Sequence, residues 1–157
     1  MITLSGGIPL KKCLIVYDSY HHGNTEKIAS AMAEASGAEL CKASEVKDKN
    51  LSEYEIVGFG AGIDKGKHYS GLLNAVEGLS LSSKTVFVVS TSGRGGTGSH
   101  GALHKLLEKQ GAVIAGDFGC KGFDTYGPLA LIGGISKGHP NDKDLEDAKN
   151  FVLKMVK

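Results

Sequence analysis

Residues 19–25 concentrate side chains that can bind an anion. They supply hydroxyls, imidazole rings, a side-chain amide and a glycine, from Ser19, Tyr20, His21, His22, Gly23, Asn24 and Thr25. Residues 13–17 form the short apolar run of a strand buried on both faces, and a helical pattern follows Thr25. Since the first N–H groups of a helix lack partners and carry partial positive charge, this junction is suited to hold a phosphate group.

Two simpler interpretations of this loop stay open. Ser19 or Thr25 can cap the helix without any ligand. His21 and His22 are metal-binding residue types, but adjacent residues on a loop offer an incomplete ligand set, and no cysteine or acidic residue nearby has ligand spacing. We therefore expect an anion site and no metal.

The composition limits the classes of partner. The 157 residues suffice for one domain, with Lys and Arg (18) nearly balanced by Asp and Glu (17). We therefore expect no nucleic acid and no membrane as a partner. Residues 1–11 are predicted to be an N-terminal extension, and residues 12–157 one domain. Three widely spaced cysteines in predicted strands, Cys13, Cys41 and Cys120, indicate reduced thiols and a cytoplasmic location.

Apolar runs and helical patterns alternate along the chain. The predicted strands span residues 13–17, 38–42, 55–60, 85–90 and 112–119. Short loops join them to helices, the first of which ends at Gly37 and the last of which is capped by Asn141. Such alternation requires right-handed crossovers and a parallel sheet. We predict an α/β, three-layer, doubly wound fold with a five-stranded parallel sheet in the order 2-1-3-4-5.

In this order the loops after the first, third and fourth strands meet at one edge of the sheet, where ligands of doubly wound folds bind. These loops are predicted at residues 19–25, 61–68 and 91–98, and all are rich in glycine or hydrogen-bonding groups. The candidate ligand-binding residues beyond the first loop are Ala61, Gly62, Ile63, Thr91, Ser92, Gly93 and Arg94.

The segment YDSYHHGNT, residues 17–25, resembles the FMN phosphate loop of the flavodoxin family, in which Ser or Thr precedes Gly-Asn-Thr at the helix start. The resemblance runs from about Lys12 to the end of the chain. It departs in one place, because the chain carries one residue more between Ser19 and Gly23 than the usual spacing, so we expect the loop to bulge. The resemblance implies non-covalently bound FMN, with the loops after the third and fourth strands clamping its isoalloxazine ring.

Several hypotheses follow for the ring. A peptide at Gly62 would face flavin N5, and positive charge on Lys65 and Lys67 would raise the reduction potential. Arg94 would meet flavin O2 or the phosphate of a nicotinamide donor. With no tryptophan in the chain, the candidates for stacking on the ring are Tyr69, Phe123 and Tyr126. Residues 122–134 are expected to cover the flavin edge or to form a subunit contact.

The function favoured by these features is electron transfer through FMN between redox partner proteins or to a small electron acceptor. No set of residues indicates dedicated proton transfer, so no catalytic residue is assigned and a carrier is favoured over an NAD(P)H-dependent FMN reductase or quinone reductase. Other interpretations are a ligand-free interaction domain and a phosphoacceptor receiver domain, with Asp18, Asp64, Thr91 and Lys121 as its pocket. A receiver, however, needs adjacent carboxylates for Mg²⁺ beside the first strand, and Asp18 has none. The sequence does not define the oligomeric state.

Overall fold

A computed structural model gives the fold. It describes Gly7, residues 9–20 and residues 22–157. The strands in this part of the chain are β1 (Cys13–Asp18), β2 (Glu39–Lys42), β3 (Ile56–Asp64), β4 (Lys67–His68), β5 (Thr85–Ser92) and β6 (Val113–Lys121). The helices are α1 (Asn24–Ser36), α2 (Ser70–Glu77), α3 (Gly101–Lys109) and α4 (Asp142–Val156). Short 3-10 helices cover residues 43–48, 51–53 and 127–132.

The five long strands form one parallel sheet in the order β2-β1-β3-β5-β6, and the short β4 pairs antiparallel with β3. Counting only the long strands, this is the predicted order 2-1-3-4-5, which is therefore confirmed. The chain reverses direction along the sheet between β1 and β3. Parallel sheets of this type bind ligands outside the carboxyl ends of the strands at that reversal.

Helices cover both faces of the sheet, as a three-layer fold requires. On one face α1 and α4 bury Ile28, Met32 and Val152 against β1 and β5. On the other face α2 and α3 bury Leu72 and Leu103. Both faces of the central strands are therefore apolar, which explains the nearly continuous apolar runs in the sequence.

The helix ends also follow the sequence. Gly37 adopts a left-handed φ of 72° after α1, and its N–H donates to the carbonyl of Ala33. Asn141 and Asp144 form a capping box at the start of α4. Leu10, from the predicted extension, is buried, and the N–H of Lys11 donates to the carbonyl of Val156. Among the described residues, no helix combines the length and apolar character needed to cross a membrane.

Two strands continue beyond their predicted ends. β3 extends to Asp64, so Ala61, Gly62 and Ile63 lie in a strand and not in a loop. β5 extends to Ser92, because Thr91 and Ser92 pair with the last residues of β6. The reason is pairing between strands that are distant in the sequence, which no local pattern shows. The predicted loop after the third strand is instead a β-hairpin.

That hairpin joins β3 to β4 through a two-residue turn. Lys65 and Gly66 both have positive φ, 52° and 80°, as the tight turns favoured in hairpins require. The turn projects the end of β3 beyond the sheet edge, beside the loop that follows β5. The hairpin thus forms one wall of any ligand site at the carboxyl ends of the strands.

The central position of β5 makes its side chains sensitive to truncation. Val88 has no exposed surface, whereas Val113 on the edge strand β6 is 58% exposed. We expect Val88→Ala to lower the free energy of unfolding by about 2 kcal/mol through lost burial and the cavity left behind. Val113→Ala, the matched control, should change it by less than about 0.5 kcal/mol. Urea denaturation measures both, and equal losses would contradict the assigned position of β5.

Candidate functional site

The loop between β1 and α1 turns the chain sharply at the carboxyl edge. Gly23, with a left-handed φ of 67°, directly precedes α1, and a Cβ placed on it would meet no atom within 4 Å. The hydroxyl of Ser19 accepts the N–H of Glu26 at 3.1 Å, so it satisfies one donor of the first helical turn. The predicted role of His21 lies outside the described residues.

The side chains of Asn24 and Thr25 are buried and tie this loop to its neighbours. Asn24 donates its Nδ2 N–H to the carbonyl of Phe123 at 2.9 Å, and the hydroxyls of Thr25 and Thr91 share a hydrogen bond of 2.8 Å. The Oδ1 atom of Asn24 is buried without a hydrogen-bond partner in the described part of the chain. The structure therefore brings the first loop, the end of β5 and the segment after β6 together.

The segment after β6 folds back over the β1–α1 loop. His22 lies 2.9 Å from the Thr125 hydroxyl, and its ring packs on Phe123 with centroids 4.5 Å apart. A Cβ on Gly122 would come within 2.6 Å of the Asn24 amide, so only glycine permits this approach. We predicted that residues 122–134 cover the flavin edge or form a subunit contact, and within this chain they lie against the loop.

Three tyrosines stand together beside the hairpin. The ring of Tyr20 stacks on Tyr69 with centroids 4.4 Å apart, and Tyr126 donates its hydroxyl to that of Tyr20 at 3.4 Å. The contact between the two hydroxyls, burial, and the nearby negative charges of Asp18 and Asp64 together raise the pKa of Tyr20 to about 12. Tyr69 is buried, whereas Tyr20 is 63% exposed. Tyr20 therefore presents an aromatic face to solvent at the edge of the sheet.

Gly62 is fixed by its neighbours. Its carbonyl accepts the N–H of Tyr69 at 3.0 Å, and a Cβ on it would come within 2.3 Å of the Tyr69 ring. Rotation of the Gly62 peptide would break that hydrogen bond. Gly66, at the hairpin turn, has positive φ and no atom within 4 Å of its Cβ position. Gly62 is thus held against Tyr69, whereas the space beside Gly66 is open.

A cleft of about 470 Å³ separates the hairpin from the loop that follows β5. Its lining residues are Ile63, Gly66, Ser92, Gly93, Arg94, Gly95, Gly98, Ser99, Asp124, Leu129 and Ile135. A much smaller cavity shares Ile63, Ser92, Gly93 and Asp124 with this cleft and extends to Asn24. Of the predicted residues in the second and third loops, Ile63, Thr91, Ser92, Gly93 and Arg94 line these two cavities, whereas Ala61 is fully buried and Gly62 lines neither of them.

Asp18 belongs to a different part of the edge. Its carboxylate accepts the N–H of Leu72 at the start of α2, and its burial raises its pKa. A Cβ on Gly71 would come within 2.3 Å of its Oδ2 atom. Asp18 is therefore packed against α2, as a capping group would be, whereas Asp64 is exposed in the hairpin.

The structure also shows a polar network that sequence reasoning missed. His100 bonds Ser90 through Nε2 at 2.7 Å and Asp117 through Nδ1 at 2.6 Å, and His104 reaches the same Asp117 oxygen at 2.6 Å. Burial lowers the pKa of His100, against the effect of Asp117. Burial opposes ionisation of Asp117, but its hydrogen bonds to the histidines outweigh this and lower its pKa. The available signal was the His-x-x-x-His spacing of HGALH.

The fold and this edge together define a protein of the flavodoxin type. The family model of the flavodoxin domain matches residues 14–123. A relative from Methanocaldococcus jannaschii, described as uncharacterised, is 38% identical over 148 residues, which cover 93% of this chain and 99% of that protein. The chain belongs to the flavodoxin domain family.

Solved structures show the same fold at low sequence identity. A flavodoxin from the domain Archaea has a TM-score of 0.64 and 16% identity, covering 92% of this chain and 95% of that one. The two-electron reduced flavodoxin of Megasphaera elsdenii has a TM-score of 0.57 and 19% identity, covering 87% and 97%. A flavoprotein from Lactobacillus acidophilus in complex with FMN has a TM-score of 0.53 and 17% identity, covering 68% and 91%.

The hydrogen bond between Thr25 and Thr91 can be tested by a double-mutant cycle. Thr25→Val preserves the shape but leaves the Thr91 hydroxyl buried and unpaired, so we expect a loss of about 1–3 kcal/mol in the free energy of unfolding. Adding Thr91→Val should remove much of that penalty, so the losses will not be additive. Thr97→Val, at an exposed position, is the control and should cost less than about 0.5 kcal/mol. Additive losses would contradict a direct bond.

Proposed function

We propose that this protein binds FMN non-covalently and carries electrons between redox partner proteins or to a small electron acceptor. One observation carries the proposal. The cleft between the β3–β4 hairpin and the loop after β5 leads through shared lining residues to Asn24, the first residue of α1. A ligand with a flat ring at one end and an anion at the other matches this arrangement.

The β1–α1 loop fits the phosphate end of such a ligand. The open space beside Gly23 permits close approach to the backbone, and the first turn of α1 offers N–H groups and a positive helix end. The side chains of Asn24 and Thr25 instead hold the loop in shape through their bonds to Phe123 and Thr91. In this proposal backbone amides bind the phosphate, and the predicted side chains position them.

The cleft fits the ring end. Glycines and short side chains of its walls allow backbone atoms to lie close to a flat ring, and Ile63, Leu129 and Ile135 supply apolar contact that excludes water. When bound, FMN supplies the redox chemistry, and the chain holds it and sets its potential. Lys65, Lys67 and Arg94 place positive charge at the cleft and the adjoining hairpin, which would favour an anionic reduced ligand.

The similar proteins support the same assignment. The Lactobacillus acidophilus structure is a complex with FMN, and the archaeal and Megasphaera proteins are flavodoxins. Their likeness to this chain is one of fold, so the cofactor of this chain is a proposal. Two observations count against the phosphoacceptor alternative. The chain belongs to the flavodoxin family, and the carboxylate of Asp18 is packed against α2.

A second candidate is an NAD(P)H-dependent FMN or quinone reductase, and two observations favour it. Arg94 is exposed and lines the cleft, where a guanidinium can bind a phosphate or a carboxylate in a bidentate manner. In addition, the formal net charge of +1 differs from the strongly acidic surface that a dedicated carrier uses to meet basic partners. The two candidates share the cofactor and differ in the electron donor.

The phosphate site is tested by a matched pair of variants at Gly23. Asn and Asp both tolerate positive φ and have nearly the same shape, and the Cβ of either would meet no atom within 4 Å. Gly23→Asp adds a negative charge where the phosphate would bind, so we expect its affinity for FMN to be at least about tenfold lower than that of Gly23→Asn.

Fluorescence titration of the flavin measures both affinities, with riboflavin as the ligand control. Riboflavin lacks the phosphate, so its affinity should be equal in the two variants and weaker than that of FMN for the unmodified protein. Equal FMN affinities in the two variants, or no binding of FMN by the unmodified protein, would overturn the assignment of the site.

The electron donor separates the carrier from the reductase. For a carrier, we expect the FMN-loaded protein to be reduced by dithionite and reoxidised by cytochrome c, while NADH and NADPH reduce it at no more than the rate of free FMN. Stopped-flow absorbance at the flavin band follows each reaction. Rapid reduction by NADPH, slowed in Arg94→Gln but not in Lys42→Gln, would instead establish the reductase.

A further inference from the structure

Three side chains outside the proposed flavin site converge on the face of the sheet that α2 and α3 cover. His100 and His104 lie one turn apart on α3, and Asp117 lies on β6. One ligand atom from each lies within 4.8 Å of the other two. We propose that His100, His104 and Asp117 bind a divalent transition-metal ion, for which zinc is the probe.

The composition of this set matches a known preference. Two imidazoles and one carboxylate suit zinc and the neighbouring divalent transition ions, whereas Mg²⁺ and Ca²⁺ prefer oxygen ligands throughout. Both histidines reach the same oxygen of Asp117 at 2.6 Å. Ligands around a bound zinc stand about 3–3.5 Å apart, as bonds of about 2.0–2.2 Å in a tetrahedral arrangement require. Small rotations of His104 and Asp117, whose side chains are partly exposed, would provide that separation.

A backbone irregularity turns Asp117 toward the histidines. The register between β5 and β6 shifts after Val86, so that Val86 pairs with Ile114 but Phe87 pairs with Gly116. Because a shift of one residue reverses the face on which side chains lie, Asp117 faces the α3 side together with its partner Val88. Regular pairing would place it on the α1 and α4 side. Such bulges commonly redirect a side chain beside a functional site.

Ser90 orients the first histidine. Its hydroxyl holds Nε2 of His100 at 2.7 Å, which leaves Nδ1 directed at Asp117, in the manner of the outer groups that fix metal-binding histidines. The same hydroxyl donates to the carbonyl of Gly96 at 3.5 Å. In the tautomer in which Nε2 carries the proton and donates to this hydroxyl, Nδ1 has the lone pair that a metal ion needs.

The site is open on one side and closed on the other. The side chains of His104 and Asp117 are 31% and 27% exposed, which allows an ion to enter and leaves room for a further ligand such as water. Behind His100 lies the buried ring of His68, with centroids 5.0 Å apart. His68 bonds the carbonyl of Val89 through Nε2, and its buried Nδ1 has no hydrogen-bond partner among the described residues. The inner wall is thus polar but uncharged.

Metal binding can be measured on the full-length protein after removal of metals with a chelator, both with and without added FMN. Isothermal titration with Zn²⁺ gives stoichiometry and affinity, and Co²⁺ gives visible d–d absorption on binding. The variants are His104→Gln and Asp117→Asn. His139→Gln is the matched control, because His139 contacts the carboxylate of Asp144 at the same distance of 2.6 Å, outside the proposed metal site.

We expect one equivalent of Zn²⁺ to bind, with affinity at least about tenfold lower in His104→Gln and Asp117→Asn and unchanged in His139→Gln. The Co²⁺ absorption should disappear in the same two variants. If Asp117→Asn fails to fold, His104→Gln tests the metal site alone, because the His104 side chain is partly exposed. Failure of the folded protein to bind stoichiometric Zn²⁺, or an equal loss in His139→Gln, would overturn the proposal and leave a hydrogen-bonded network in which both imidazoles donate to Asp117. Since the measurement needs no flavin, its outcome is independent of the proposed electron transfer.

Discussion

The parallel pairing of β3 with β5 is the constraint on which the rest of this structure depends. It carries both strands beyond the sheet edge to Gly62 and Thr91. From that register Thr91 meets Thr25 in a buried hydrogen bond, and the β3–β4 hairpin stands opposite the loop that follows β5. Without these added residues the sheet would end level with its other strands, and the cleft would lose one wall. The proposed ligand site is thus a product of strand pairing as much as of its own loops.

The alternation of side chains along β5 then divides the edge into two environments. Thr91 faces the β1–α1 loop, and its neighbour Ser90 faces α3 and bonds His100. Adjacent residues of a strand point to opposite faces, so one strand end can hold two polar sites that do not share side chains. What they share is backbone. The carbonyl of Gly96 in the loop after β5 accepts a hydrogen bond from Ser90. A Cβ on Gly119 would come within 2.0 Å of that carbonyl oxygen.

Local chemistry determined which parts of this structure the sequence could predict. The strand, loop and helix of residues 13–37 are adjacent in the chain, and a buried apolar run, a donor-rich turn and Gly37 suffice to define them. The strand order follows from the alternation of elements. The predicted ends of β3 and β5 were wrong because each end depends on pairing with a strand far along the chain. The tyrosine contacts and the role of residues 122–134 likewise require knowledge of how separate loops meet.

The network of His100, His104 and Asp117 shows the same limit of prediction from sequence. Spacing within α3 was visible in the sequence, since His100 and His104 are separated by one turn. Asp117 was not visible as their partner, because a regular β6 would turn it away from α3. A single irregular pairing therefore decides whether His100 and His104 have a carboxylate as a common partner. Asp117 and the buried His100 also depend on each other, because Val, Ile or Leu at position 117 would leave Nδ1 of His100 without its hydrogen-bond partner.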